Sequence, residues 1–252
     1  MSLDRWQMKY LTAAVLLAPV SPALYAQGLY ARWRIGVLPP AGGPNTGVIN
    51  DSSNDAEPVS LLVIGESTVA GLGARDHERA LTGQFARHLS RHVGRPVEWH
   101  VVGKSGVTTR RTIDELLPQV PERRFDYALV GLGGNDVLKL SSPKKFRRDM
   151  TEFLGLLHER TSRPVTFLSN CPMIGMSTSI PQPIKGILWE LSKTHDANVR
   201  ELTAGMERVF YYPQPRELKL EGFFADGVHP SEKGYADWAE AMMEYFAANH
   251  EW

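Results

Sequence analysis

The sequence predicts an α/β domain with a parallel sheet covered by helices on both faces. Short apolar runs alternate with longer amphipathic stretches, which is the pattern of repeated βαβ units. The run at 59–64 is nearly continuously apolar rather than alternating, as a strand buried on both faces must be. Several of the runs end in a polar or glycine-containing turn, and ligands bind at the carboxyl ends of such strands.

The N-terminal 36 residues stand apart. Arg5 and Lys9 precede an uncharged run at 10–31, closed by Arg32 and Arg34. A cationic start, an apolar centre at 11–20 and small residues at Ala23 and Ala26 fit an export signal. The run is also long enough to cross a bilayer, for which ~20 apolar residues suffice. Pro19, Pro22, Gln27 and Gly28 weaken both readings and leave a third, an arm packed on a cytoplasmic enzyme. Residues 1–36 are thus a signal, an anchor or an arm, and the expected localisation is exported or membrane-associated, with cytoplasmic as the alternative. Residues 37–58 are rich in Pro, Gly, Asn, Ser and Asp and read as a linker, so the folded domain is expected at 59–252.

Within that domain five strands are expected, at 59–64, 97–102, 126–132, 165–169 and 209–212. Helices are expected at 80–93, 109–120, 143–160, within 184–206 and at 231–248. Gly94 and Pro96 end the first of these helices, and Pro143 opens the third. No internal repeat is present.

Charge and cysteine content narrow the classes. Lys plus Arg and Asp plus Glu number 28 each, so there is no cationic excess of the kind nucleic acid demands. Cys171 is the single cysteine, so no disulfide scaffold can form within the chain. Gly71-Leu72-Gly73 lacks the third glycine of a dinucleotide fingerprint, since Asp76 stands there. His88 and His92 share a helix face but have no evident third metal ligand.

Four turns carry the chemistry. After the first strand, Gly65-Glu66-Ser67 sets a hydroxyl where the following helix's amino end would favour developing negative charge. After the second, Gly103-Lys104-Ser105-Gly106-Val107-Thr108 exposes backbone N–H donors. After the third, Gly133-Gly134-Asn135-Asp136 offers an uncharged amide donor, with Asp136 placed to cap or brace the loop. Near the C-terminus, Asp226-Gly227-Val228-His229 brings an acid and an imidazole into one tight turn. A carboxylate that accepts the Nδ1–H fixes the tautomer and leaves Nε2 free to take a hydroxyl proton.

Together, in this order and composition, the four turns resemble the blocks of the SGNH (GDSL) hydrolase superfamily, over the domain from 59 to the end. The resemblance implies a three-layer α/β/α, flavodoxin-like fold with a parallel five-stranded sheet. It assigns Ser67 as nucleophile, His229 as base and Asp226 as orienting acid, with Ser67, Gly106 and Asn135 forming the oxyanion hole. Gly106 suits that role better than Gly103, because Ser105-Gly106-Val107-Thr108 fits the block. One departure stands out: Glu66 occupies the place of the usual aspartate, a loop brace rather than a proton carrier. The implied activity is serine ester hydrolysis through an acyl-enzyme, with a small-molecule ester as partner and no metal or organic cofactor. An acyltransferase or carbohydrate acetylesterase would use the same triad, and a non-catalytic lipid- or carbohydrate-binding module is the rival of another class. Oligomeric state is not legible.

Three further features carry weaker expectations. His77, beside Asp76, is a candidate substrate contact or alternative base, and His195 reads as exposed. The loop at 170–183, with Met173, Ile174, Met176 and Ile180, would overhang the crevice as an apolar lip or pack as an ordinary loop.

Overall fold

Residues 3–50, 56–216 and 220–252 are described by a computed structural model of the chain. Residues 1–2 of the N-terminal segment, 51–55 of the expected linker and 217–219 of the expected domain lie outside the described residues. The chain runs α1 (Leu3–Leu17), α2 (Ser21–Ile35), β1 (Thr46–Ile49), β2 (Val59–Gly65), α3 (Leu81–Val93), β3 (Val97–Gly103) and α4 (Thr109–Glu115). It continues with β4 (Tyr127–Gly131), α5 (Gly134–Leu138), α6 (Pro143–Thr161), β5 (Val165–Leu168), α7 (Ile184–Thr203), β6 (Val209–Tyr211) and α8 (Glu232–Asn249).

One sheet holds all six strands in the order β1-β3-β2-β4-β5-β6. The five expected strands are present and mutually parallel, but the sheet is not limited to five, and β1 pairs antiparallel with β3. Part of the stretch read as linker is therefore built into the sheet. Its sequence hid this because Thr46-Gly47-Val48-Ile49 is short and interrupted by glycine, a residue that weakens strand patterns. The glycine has a packing reason: a Cβ at Gly47 would come within 2.4 Å of the Trp99 ring on β3.

The continuous apolar character of β2 follows from its central place. Leu61 and Val63 face a core with Phe85 of α3, Phe167 of β5 and Phe246 of α8. Leu62 and Ile64 face the other, with Phe146, Phe153 and Leu157 of α6. Two apolar cores on opposite faces of one sheet make the three-layer α/β/α arrangement. Ser231 caps α8 by accepting from the Gly234 N–H at 3.1 Å, which fixes where the turn before it ends. The N-terminal segment forms two helices that lay one face of the arm on α6 and α7: Trp6 of α1 and Ala31 of α2 are buried.

β2, β3 and β4 all end at the same level, with Gly65 paired to Gly103 on one side and Gly131 on the other. A Cβ at Gly65 would come within 2.1 Å of the Gly131 carbonyl oxygen. Gly65→Ala is expected to destabilise the fold by about 1–3 kcal/mol, read as a lowered urea midpoint with an unchanged slope.

Candidate active site

Ser67 lies two residues beyond β2 but not at a helix amino end as expected, because α3 begins only at Leu81. Instead residues 66–73 coil into successive turns. The Glu66 carbonyl accepts from the Val69 and Ala70 N–H groups at 3.0 and 2.9 Å, and the Ser67 carbonyl accepts from Leu72 at 3.1 Å. Among the described residues the Ser67 N–H has no protein acceptor, so it is a free donor beside its own hydroxyl. Gly103 closes against this coil: a Cβ there would meet the Ala70 nitrogen at 2.6 Å. Gly106, by contrast, has open space where a Cβ would stand and φ +82°, a left-handed conformation that suits glycine. Its carbonyl accepts from Lys139 Nζ at 2.6 Å, and among the described residues its N–H has no protein acceptor.

Glu66 ties the Ser67 coil to the Asn135 loop. Its carboxylate accepts from the Gly134 N–H at 2.6 Å, the Asn135 N–H at 2.8 Å and the Asn135 side-chain Nδ2 at 2.5 Å. Gly134 leaves room for it, since a Cβ there would come within 2.7 Å of Glu66 Oε1. The glutamate side chain is thus accommodated by the absence of a Cβ at Gly134 and by the backbone N–H groups of Gly134 and Asn135. Glu66 takes one amide hydrogen of Asn135 and leaves the other to point elsewhere. Burial pushes the Glu66 carboxyl up from an ordinary 4.5 to about 7, against the opposing pull of the Asn135 and Gly134 donors.

Asp136 makes a second bracket. It is fully buried, and one oxygen accepts from both the N–H and the hydroxyl of Thr109 at 2.8 Å. The other accepts from Ser141 Oγ at 2.9 Å. Burial raises its carboxyl above the usual range, while the Thr109 and Ser141 donors offset part of that. The loop after β3 and the loop after β4 are thereby held together.

Asp226 and His229 meet as the spacing suggested. His229 Nδ1 and Asp226 Oδ2 are 2.7 Å apart, and Asp226 Oδ1 accepts from the Val228 and His229 N–H groups at 2.8 and 2.7 Å. Burial alone would raise the Asp226 carboxyl, but the His229 ring and these N–H groups prevail and hold it below its usual range. The carboxylate therefore stays charged and orients the imidazole.

The turn is fastened from outside by residues the sequence reading passed over. Ser177 Oγ donates to the Gly227 carbonyl at 2.6 Å, and Ser179 Oγ donates to the Asp226 carbonyl at 2.7 Å. Both serines come from the loop at 170–183, whose Ile174 and Ile180 pack with Leu188 and Leu191 of α7. That loop combines both expectations: it is packed, and Met173, Ile174 and Ile180 line a cavity. The clustered hydroxyls of Ser177-Thr178-Ser179 were the available signal.

The histidine turn abuts the serine coil. A Cβ at Gly73 would meet the Pro230 carbonyl oxygen at 2.2 Å, and the Tyr235 hydroxyl donates to the Leu72 carbonyl at 2.7 Å. Glu66 and Thr68, flanking Ser67, and Val228 and Pro230, flanking His229, line one cavity of about 430 Å³. Leu132, Phe223 and Trp238 add apolar walls, and Trp238 Nε1 donates to Asn170 Oδ1 at 2.8 Å. The other histidines lie elsewhere. His77 is buried against Trp99 with ring centroids 6.2 Å apart, and burial lowers its basicity. His195 is fully buried rather than exposed, stacked on Phe146 at 4.2 Å and pushed down to about 3 by burial.

Fold and loops together define a three-layer α/β/α protein of the hydrolase type that the sequence blocks resemble. The model of the GDSL-like lipase/acylhydrolase family matches residues 63–236. The chain belongs to that family of ester hydrolases, which is the SGNH assignment made from its motifs. A GDSL-like esterase of Mycobacterium tuberculosis is 26% identical over 198 residues, covering 73% of this chain and 60% of that protein's length. The lipase Lip_vut3 from a goat rumen metagenome superposes with TM-score 0.55 at 19% identity, covering 75% of this chain and 96% of that one. The acetyl xylan esterase Est2A of Butyrivibrio proteoclasticus does so with TM-score 0.54 at 16% identity, covering 77% and 65%. These structures share the fold.

The raised carboxyl of Glu66 makes a signed prediction. Its folded value exceeds the unfolded one, so the native state holds an extra proton between about pH 4.5 and 7. This contribution is fully present below the unfolded value and is lost as pH rises towards 7, by at most about 3 kcal/mol. The urea midpoint of the native chain, taken relative to that of Glu66→Gln, should fall as pH rises across that window; a difference that stays constant with pH would refute the assignment.

Proposed function

We propose that the chain is a serine ester hydrolase working through an acyl-enzyme with Ser67, His229 and Asp226. The observation that carries this reading is the Asp226 carboxylate bound to His229 Nδ1 at 2.7 Å, in a turn packed on the serine coil. Ser67 Oγ attacks the ester carbonyl carbon while His229 Nε2 accepts its proton. The oxyanion is received by the N–H groups of Ser67 and Gly106 and the second amide hydrogen of Asn135. His229 returns the proton to the leaving alcohol as the C–O bond breaks. Water then attacks the acyl-enzyme, giving up a proton to His229, and the acid departs as Ser67 is reprotonated. No step calls on a cofactor.

The acyl group is assigned to the cavity walled by Leu132, Met173, Ile174, Phe223 and Trp238. Its volume, about 430 Å³, suits small to medium acyl chains. The same fold serves a lipase and an acetyl xylan esterase among the solved structures, so the leaving group is set by the rim rather than the triad. A chain-length series of p-nitrophenyl esters beside acetylated sugars reads this directly. Transfer to added alcohol or sugar acceptors in excess of hydrolysis would identify an acyltransferase, which shares the first half-reaction.

A fluorophosphonate is expected to label the native chain and Ser105→Ala but not Ser67→Ala. Asn135→Ala should lower kcat by roughly 10²–10³ with a smaller effect on KM. Undiminished labelling of Ser67→Ala would overturn the assignment, and a native chain unlabelled at neutral pH would favour a binding module.

A further inference from the structure

α1 and α2 each give only one face to the protein and leave large apolar side chains on the other. On the inner side, Trp6 is buried and the Tyr10 hydroxyl donates to the Leu140 carbonyl at 2.7 Å. Gln7 Oε1 accepts from the Lys144 N–H at 3.1 Å. In α2, Gln27 Nε2 donates to the Gln182 carbonyl at 2.7 Å, and Gly28 lets the helix approach Ile184. At 3.6 residues per turn, Met8, Leu11 and Val15 fall on the opposite side of α1 from Trp6 and Tyr10. Tyr25, Leu29 and Trp33 form the matching outward row of α2 at i, i+4 and i+8. These six side chains are 47–77% exposed.

The cations are arranged around this ridge, while Asp4 stands at the head of its α1 row. Arg32 and Arg34 fall on its two edges in α2, and Arg5 and Lys9 lie along one edge in α1. All four are exposed, and among the described residues none pairs with a carboxylate. The single acid of the two helices, Asp4, is taken by Lys144 at 2.7 Å. An apolar ridge carrying Tyr and Trp, bordered by unpaired cations, matches the boundary between headgroups and acyl chains. The cations suit anionic headgroups, to which each contributes about 1 kcal/mol near the surface.

We propose that the α1–α2 arm lies on a bilayer surface containing anionic lipid, with its outer ridge in the interface and its inner face still on α6 and α7. The stretch 3–35 is long and apolar enough to span a membrane by length and composition. Spanning, however, would strip Trp6, Gln7, Tyr10 and Gln27 from their partners and carry two glutamines into hydrocarbon. Pairing of the ridge with its own copy about a two-fold axis would set the edge arginines against one another. The inner face of the arm also touches the segment following Asn135: Tyr10 holds Leu140, which with Leu138 is half exposed. A lipid-borne ester would then meet the protein beside its catalytic face.

The test is flotation of the full chain with vesicles of phosphatidylcholine alone and of phosphatidylcholine with one quarter phosphatidylglycerol. Binding should be at least tenfold tighter to the anionic vesicles and fall at high salt. Leu29→Asp combined with Trp33→Asp should abolish it, and Arg32→Glu with Arg34→Glu should remove the preference for anionic lipid. Both variants should hydrolyse a water-soluble p-nitrophenyl ester as the native chain does, which separates this inference from the reading of Ser67. Equal flotation of native chain and Leu29→Asp/Trp33→Asp would overturn it. So would retention in the membrane after carbonate at pH 11, which marks a spanning helix, or dimerisation through the ridge without vesicle binding.

Discussion

The arrangement turns on a buried carboxylate at the end of the central strand. Glu66 leaves β2 beside the serine and is met by three N–H donors from Gly134 and Asn135. Loops after different strands have no intrinsic reason to share a register, since nothing covalent joins them at their tips. A charge-accepting group desolvated between them makes relative displacement costly, because any shift leaves a buried donor or acceptor unmade. The cost of burying Glu66 is visible in its raised carboxyl, and the interaction rests on hydrogen bonds rather than on a cation. Asp136 repeats the device between Thr109 and Ser141.

The histidine turn uses different means. Asp226 is partly buried yet keeps its charge, because an imidazole and two backbone N–H groups converge on it. Ser177 and Ser179 hold the outer carbonyls of the same turn, so the loop after β5 both walls the cavity and fastens the turn that carries His229. The cavity wall and the geometry of the Asp226–His229 pair are therefore coupled through one segment. The N-terminal helices add a second contact with this region, since Tyr10 of their inner face holds the Leu140 carbonyl in the segment after Asn135.

Much of the fold was legible in the chain because central parallel strands are apolar throughout and their helices are amphipathic. Such local periodicity survives without tertiary knowledge. The edge strand Thr46–Ile49 was not legible: its pairing depends on Gly47 making room for Trp99, a residue more than fifty positions away. His195 failed for a similar reason. Its neighbour Asp196 suggested an exposed position, whereas stacking on Phe146 buries the ring, a choice made between helices and not within one.

By itself the sequence determined the order of the five parallel strands, the family and the residue types at four strand ends, because each of these is local. Asp226 and His229 could be paired from spacing alone, three residues apart in one turn. Only the tertiary structure decided which groups brace them. Glu66 reaches across to Asn135, Ser177 to Gly227, and Gly73 admits Pro230. The same holds for the N-terminal helices, which carry large apolar side chains on both their inner and outer faces, Trp6 inward and Leu11 and Trp33 outward. Contact with α6 and α7 is what distinguishes them, since hydrophobicity records that a face seeks burial and not what will bury it.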